Sequence, residues 1–302
     1  MMEKKRGAKS GGRKPEMKKS VGVDSLVNRS VKKAVPSPAK DVVAESLIPL
    51  PEDAVVGRNA VLELLKGGRD VNRLLVAEGS PAGSLTEILA RARAQGVVIE
   101  TVSRNRLETI AAGWRHQGVL AYAAPVPYAD LDELLDSAAA QDSPPFLLLL
   151  DGIEDPQNLG AILRTADATG VSGVVIPKRR SCPLSAAVAK TSAGAVEYVP
   201  VARTANLVQT IGRLKERGYW VAGADMAGKA DYYETDLTGA MALVIGGEGK
   251  GLSRLVKEKC DFLVRLPMVG RINSLNASVA AAVLMYEVVR QRRQKTPEQS
   301  GK

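Results

Sequence analysis

The chain predicts an α/β protein, with a parallel-sheet domain in its C-terminal half and a smaller α/β domain before it. Phe146 to Leu150 is an unbroken apolar run, of the kind a strand buried on both faces requires. Further strand-like runs follow it, separated by helix-patterned stretches, and this alternation gives a parallel sheet with helices on both faces. Upstream, a shorter alternation begins at Val55 and stops at Pro125 and Pro127.

In the first domain the periodicity predicts a helix over Asn59 to Lys66, a strand over Val71 to Ala77 and a helix over Ser84 to Ala94. A strand over Val97 to Val102, a helix over Arg104 to Ala112 and a strand over Gly118 to Ala124 complete it. Gly67-Gly68 and Gly96 stand where helices should stop, as C-cap glycines do. Asp130 to Gln141, acidic and followed by Ser143-Pro144-Pro145, reads as a linker containing a short helix. After Phe146 to Leu150, strands are expected at Gly173 to Ile176, Val196 to Val201, Trp220 to Gly223, Ala242 to Ile245 and Phe262 to Leu266. Helices are expected at Leu159 to Thr169, Ala205 to Arg217 and Gly251 to Lys259. A last helix, about Leu275 to Arg293, ends in Arg290, Arg292 and Arg293, which suit its negative C-terminal dipole. The domains so drawn are 1–52, a disordered basic tail; 53–125, a small α/β domain; 126–145, a linker; 146–294, the parallel-sheet domain; and 295–302, a disordered end.

Of 302 residues, 45% are hydrophobic, enough for packed cores. No apolar stretch is long enough to span a membrane, because Phe146 to Leu150 ends at Asp151 and the run Val279 to Val289 is interrupted by Glu287. The N-terminus has no apolar signal core, so export is not expected and the cytoplasm is. Cys182 and Cys260 have no metal-like spacing and read as reduced core thiols, so no metal is implied. The net charge is +9, but residues 1–50 hold twelve Lys or Arg against five Asp or Glu, leaving only 30 against 28 elsewhere. That tail is either a solubiliser or an arm that holds RNA phosphates.

Three segments carry the chemistry: Asn158-Leu159-Gly160-Ala161-Ile162-Leu163-Arg164, then Gly246-Gly247-Glu248-Gly249-Lys250-Gly251, then Leu266-Pro267-Met268 running on to Ser274-Leu275-Asn276-Ala277-Ser278. Each follows a strand-like run, so a parallel sheet brings all three to one edge. The glycine segment lets backbone amides approach a ligand closely. It is not a Walker loop, since Lys250 precedes Gly251 rather than Ser or Thr. Nor is it a dinucleotide fingerprint, because the first strand of the domain runs into Asp-Gly-Ile-Glu-Asp.

In that order, over roughly residues 146 to 292, the three segments resemble those of the SpoU (TrmH-like) ribose 2'-O-methyltransferases, of the knotted SPOUT class. The resemblance implies a trefoil knot in the C-terminal segment, a homodimer and S-adenosyl-L-methionine as cofactor. It places Gly246, Gly247, Leu266, Met268 and Leu275 against that cofactor. It places Asn158, Arg164, Glu248, Ser274 and Asn276 in the active centre. A guanidinium is a poor base, which favours Arg164 as an electrostatic stabiliser of a developing alkoxide or an adjacent phosphate. The base itself stays open, and each of the other polar residues could serve as a cap or turn residue instead.

Arg115-His116-Gln117-Gly118 resembles the close of the ribosomal-protein-like RNA-binding domain in the SpoU branch that methylates a peptidyl-transferase-loop guanosine of 23S rRNA. Arg58, Asn59, Arg115, His116 and Gln117 are the candidate RNA contacts, with Arg106 near them. Two Phe and two Trp leave little for base stacking, so phosphate contacts and shape should dominate. The expected activity is 2'-O-methylation of a guanosine ribose in 23S rRNA. The rivals are a transfer RNA or antibiotic-resistance rRNA methyltransferase of the same family, and a non-catalytic RNA-binding assembly factor.

Overall fold

The computed structural model describes residues 50–295. The expected basic tail, apart from its last three residues, and the expected C-terminal segment after Lys295 lie outside the described residues.

The small domain runs β1 (Ala54–Val56), α1 (Arg58–Gly67), β2 (Val71–Ala77), α2 (Ser84–Ala94), β3 (Val98–Val102), α3 (Arg104–Ala111) and β4 (Val119–Ala123). Its sheet has the order β1-β4-β2-β3, with β4 antiparallel to both neighbours and β2 parallel to β3. Alternating residues sort to its two faces. Leu74 and Val76 meet Val61, Leu64 and Ile88 of α1 and α2. Leu75 and Ala77 meet Leu107 and Ala111 of α3.

The chain continues through α4 (Leu131–Ala139), β5 (Phe146–Asp151), α5 (Pro156–Ala168), β6 (Gly173–Pro177), α6 (Ala186–Thr191), a 3-10 turn (Ala195–Glu197), β7 (Val201–Thr204), α7 (Leu207–Glu216) and β8 (Trp220–Ala224). It ends with β9 (Ala230–Asp231), β10 (Met241–Gly246), α8 (Arg254–Lys259), β11 (Phe262–Arg265) and α9 (Ala277–Lys295). The seven strands order as β7-β6-β5-β10-β8-β11-β9, and every pairing is parallel. Strand β5 shows why. Phe146, Leu148 and Leu150 pack with Ile162, Leu163 and Leu284 on the face covered by α5 and α9. Leu147 and Leu149 pack with Leu135, Ile211 and Val256 on the face covered by α4, α7 and α8. Each such leucine gains about 1.5–3 kcal/mol by leaving water, so the unbroken run commits β5 to the centre.

The structure adds two short strands that the sequence reading does not contain, β1 and β9, and corrects that reading in four further places. The stretch expected as a strand over Val196 to Val201 opens as the 3-10 turn, and β7 begins at Val201, because Pro200 has no N–H for a ladder. Helix α6 went unread; Ser185 caps it, accepting from Val188 N. Helix α8 starts at Arg254 rather than Gly251, because Gly251 N donates to Gly247 O and Ser253 N to Asp151 Oδ2, holding the intervening residues in the glycine loop. The segment expected as a linker is built into the large domain. Ala129 bridges Ala202, Tyr128 OH accepts from Leu184 N, and Leu134, Leu135 and Ala138 of α4 are buried.

The small domain docks on the large one through charged contacts. Arg69 Nη2 donates to Glu197 Oε1 at 2.8 Å, with both side chains largely out of water, and Lys190 Nζ donates to the Arg115 carbonyl at 3.1 Å.

Candidate active site

The carboxyl ends of β5, β8, β10 and β11 share one edge of the sheet, and the three sequence segments meet there. Gly246 closes β10 opposite Asp151 of β5. The loop after it is stitched in part by backbone: Gly247 N donates to Asp151 O, and Gly247 bridges Gly251. A Cβ at Gly246 would collide with the Gly251 backbone, and one at Gly247 with the Gly152 carbonyl, so only glycine fits this closure.

A cleft of about 660 Å³ opens between this loop and the ends of β8 and β11. Gly246, Gly247, Leu266, Met268 and Leu275, the residues expected against a cofactor, all border it, with Ile245 and Val264 as further apolar wall. Asp225, Met226 and Asn273 also border it and were not singled out from sequence. Asp225 could have been found by the same rule as the others, since it directly follows β8. Its Oδ2 pairs with Lys257 Nζ at 2.6 Å.

Asn158, Glu248 and Asn276 form one hydrogen-bonded cluster. Asn158 lies in the first turn of α5, behind Asp155, whose carboxylate caps the helix by accepting from Gln157 N, and Pro156. Its Nδ2 donates to Glu248 Oε1 at 3.0 Å, and its Oδ1 accepts from Asn276 Nδ2 at 2.9 Å. Asn276 Nδ2 also donates to Glu248 Oε1 at 2.6 Å. Asn276 Oδ1 accepts from Ser278 N and Val279 N, so the same side chain opens α9. Two amides thus converge on one carboxylate oxygen of an exposed glutamate. The other oxygen, Oε2, accepts no hydrogen bond among the described residues.

Ser274 borders the cleft but makes no hydrogen bond to this cluster. Arg164 is not brought to it either. It is exposed on α5, six residues or about 9 Å along the helix from Asn158, and borders neither the cleft nor the cluster.

In the small domain the expected RNA contacts divide. Asn59 and Arg115 are exposed. His116 is buried, with Nδ1 accepting from Gly118 N at 3.0 Å, and burial lowers its pKa below the usual histidine value. It is a neutral part of the turn into β4, which corrects the expectation of a surface contact. Arg58 is half-buried and its guanidinium is committed to main-chain carbonyls. Its Nε, Nη1 and Nη2 donate to the carbonyls of Gln117, Ala82 and Pro81. Gln117 in turn accepts from Arg58 N through Oε1. Exposed Arg104 borders the clefts on both sides of this turn, and sequence reading passed over it.

The family described as SpoU rRNA Methylase matches residues 145–286, and that described as RNA 2'-O ribose methyltransferase substrate binding matches residues 54–129. YacO of Bacillus subtilis (strain 168), named a TrmH family tRNA/rRNA methyltransferase, is 51% identical over 240 residues, 80% of this chain and 96% of that protein. A protein of Staphylococcus haemolyticus with the same family name is 50% identical over 240 residues, again 80% and 96% of the two chains. Among solved structures, the SpoU methyltransferase AviRb from Streptomyces viridochromogenes in complex with AdoMet superposes with a TM-score of 0.67 at 26% identity. That match covers 80% of this chain and 90% of AviRb. An AdoMet-bound rRNA methyltransferase from Sinorhizobium meliloti gives 0.66 at 26% identity, over 78% and 86%. Both domains therefore point to one class of protein, the RNA methyltransferases. Within it, the chain belongs to the SpoU (TrmH-like) family.

Proposed function

We propose that the chain transfers the methyl group of S-adenosylmethionine to the ribose 2'-hydroxyl of a guanosine in 23S rRNA, acting in the cytoplasm as a homodimer. The observation that carries this reading is the Asn158–Glu248–Asn276 cluster, set at the rim of a cleft of nucleoside size. The cleft suits the cofactor. Its apolar wall of Ile245, Val264, Leu266 and Met268 fits the adenosine and methylene groups of the cofactor, and the exposed carboxylate of Glu248 suits its sulfonium charge. When bound, S-adenosylmethionine supplies an electrophilic methyl carbon.

The chain's own part is to hold the ribose hydroxyl in line with that carbon and to take up its proton. Glu248 suits the second task. Its Oε1 is fixed by two amides, which aims Oε2, and Oε2 is open to receive the hydroxyl hydrogen. The cleft residues would hold S-adenosylmethionine, which would supply the methyl group, and the proton given up by the ribose hydroxyl would pass to Glu248 and from its exposed carboxyl to water. Arg164 lies outside this cluster and serves by holding an RNA phosphate. Arg115 and Asn59 contact RNA from the small domain.

The experiment is methyl transfer from labelled S-adenosylmethionine to 23S rRNA and to bulk transfer RNA, both from cells lacking the gene, followed by mapping of the modified ribose. A single 2'-O-methylguanosine in 23S rRNA is expected. Modification of transfer RNA alone would overturn the ribosomal target, and saturable cofactor binding with no transfer to either RNA would favour a non-catalytic assembly factor.

A further inference from the structure

A second cleft, also of about 660 Å³, lies on the other side of the glycine loop. Gly247, Glu248, Lys250 and Gly251 border both clefts, and Asn158 borders the second. The loop is thus a partition with the proposed cofactor site on one side. If the reactive ribose sits at Glu248, the flanking RNA backbone has the second cleft as its open path.

The far end of this cleft is cationic. Lys178, Arg179 and Arg180 follow β6 and are all exposed, and the two arginines border the cleft that Glu248 also lines. Arg265 in the same domain is held by Asp231 at 2.6 Å, whereas Arg179 and Arg180 have no carboxylate partner among the described residues. Beside them, Asn206 caps α7 and the first turn of that helix borders the cleft, adding its positive end. The loop that carries the arginines is fixed. Lys178 N donates to Thr204 O at 2.8 Å, Arg203 Nη2 to Lys178 O at 3.0 Å, and Cys182 N to Ile153 O at 2.8 Å. Arg180 is held at φ +57°, a left-handed conformation that costs a non-glycine residue about 1–2 kcal/mol. The near end carries Asp151, Glu154 and Asp155. Asp151 and Asp155 cap backbone N–H groups, and the exposed carboxylate of Glu154 repels anions. A phosphate is therefore admitted at one end only.

We infer that the second cleft is an RNA subsite in which Arg179 and Arg180 grip a phosphodiester flanking the target ribose. The inference rests on the RNA methyltransferase reading above and deepens it. Two adjacent guanidiniums beside a helix N-terminus form a bidentate, charge-assisted site, and fixing the loop beforehand removes much of the ordering cost of binding.

The test uses the full chain with Arg179→Ala and Arg180→Gly, singly and together; glycine at 180 adopts the same backbone angle freely. RNA binding is measured by fluorescence anisotropy over a salt series, apart from catalysis, and S-adenosylmethionine binding by calorimetry. The double variant should keep its melting temperature and cofactor affinity, bind RNA on the order of tenfold more weakly, and lose about 1–2 from the slope of log affinity against log salt. Unchanged RNA affinity and salt slope in the double variant would overturn the inference, and so would a selective loss of cofactor affinity, which would make the cleft part of the cofactor site. If the unmodified protein binds RNA through these arginines yet transfers no methyl group, the catalytic reading fails while the subsite stands.

Discussion

Asn276 Nδ2 meets Asn158 Oδ1 at 2.9 Å across 118 positions of sequence, and both amides donate to the same oxygen of Glu248. One hydrogen-bonded unit thus ties the first turn of α5, the glycine loop and the start of α9. Because Asn276 also caps α9, its loss has two consequences that one substitution confounds. Asn276→Ala should lower stability by about 0.5–2 kcal/mol through the lost cap and reduce turnover as well. Asn276→Ser keeps a capping oxygen but removes both amide donors, so it should restore most of the melting temperature and little of the turnover. Calorimetric melting beside single-turnover methyl transfer separates the two, and equal recovery of both would leave Asn276 a cap alone.

Glu248→Gln retains the size of the side chain but cannot take a proton. Turnover should fall on the order of 10²–10³-fold, in the range of lost general-base catalysis, while S-adenosylmethionine affinity changes little. Cofactor affinity that fell in step with turnover would instead make Glu248 a residue that shapes the glycine loop.

Glu287 gives α9 a dependence on acid. Its buried carboxylate accepts from Arg290 Nε and Nη2 and from Gln291 Nε2, and the Arg290 bonds lower its pKa below the ordinary 4.5. A carboxyl whose folded pKa is depressed stabilises the fold above its unfolded value and loses that contribution as pH falls through the folded one. Urea midpoints should therefore drop as pH is lowered from about 5 toward 3, and the drop should be shallower in Glu287→Gln. Parallel pH profiles for the two proteins would remove this residue from the account.

The elements of the small domain apart from β1 were legible because its strands are short apolar runs and each helix ends near a glycine, whereas β1 is only three residues long. The central strand of the large domain was legible from Phe146 to Leu150. The site segments were legible as a group, because parallel strands deliver their carboxyl ends to one edge whatever their order. What sequence did not carry was side-chain commitment. His116 and Arg58 read as RNA contacts, yet one is buried on a neighbouring amide and the other is bound to three carbonyls of loops distant in sequence. Arg164, six residues from Asn158 in one motif, lies outside the cluster that the motif helps to build. The linker reading failed for a related reason: the acidic face of Asp130 to Gln141 was visible, but the partners that hold it, Arg213 and Arg217 of α7, lie 81 positions away.

The joint between the two domains gives the last expectation. Arg69 and Glu197 pair at 2.8 Å with side chains only 11% and 5% exposed. Burial is the largest influence on both groups, lowering the arginine's pKa and raising the glutamate's, so for each the loss of hydration outweighs the attraction between them. Arg69 Nη1 also donates to the Ala124 carbonyl, while its buried Nε has no hydrogen-bond partner among the described residues, so the guanidinium depends on its acidic partner for charge balance. Removing the partner alone, Glu197→Leu, should strand a buried cation and cost about 3–5 kcal/mol at the domain interface. Replacing both, Arg69→Met with Glu197→Leu, should recover most or all of that stability, because an apolar pair of similar volume needs no hydration. The pair would then matter for register rather than strength, fixing how Arg115 and Asn59 stand relative to Glu248. The double variant should accordingly melt near the parent temperature while its RNA methylation loses selectivity for one ribose, read by mapping 2'-O-methyl positions. A double variant as unstable as Glu197→Leu would show that the ion pair is a net source of stability, and one that retained full selectivity would show that the apolar contacts around it set the register.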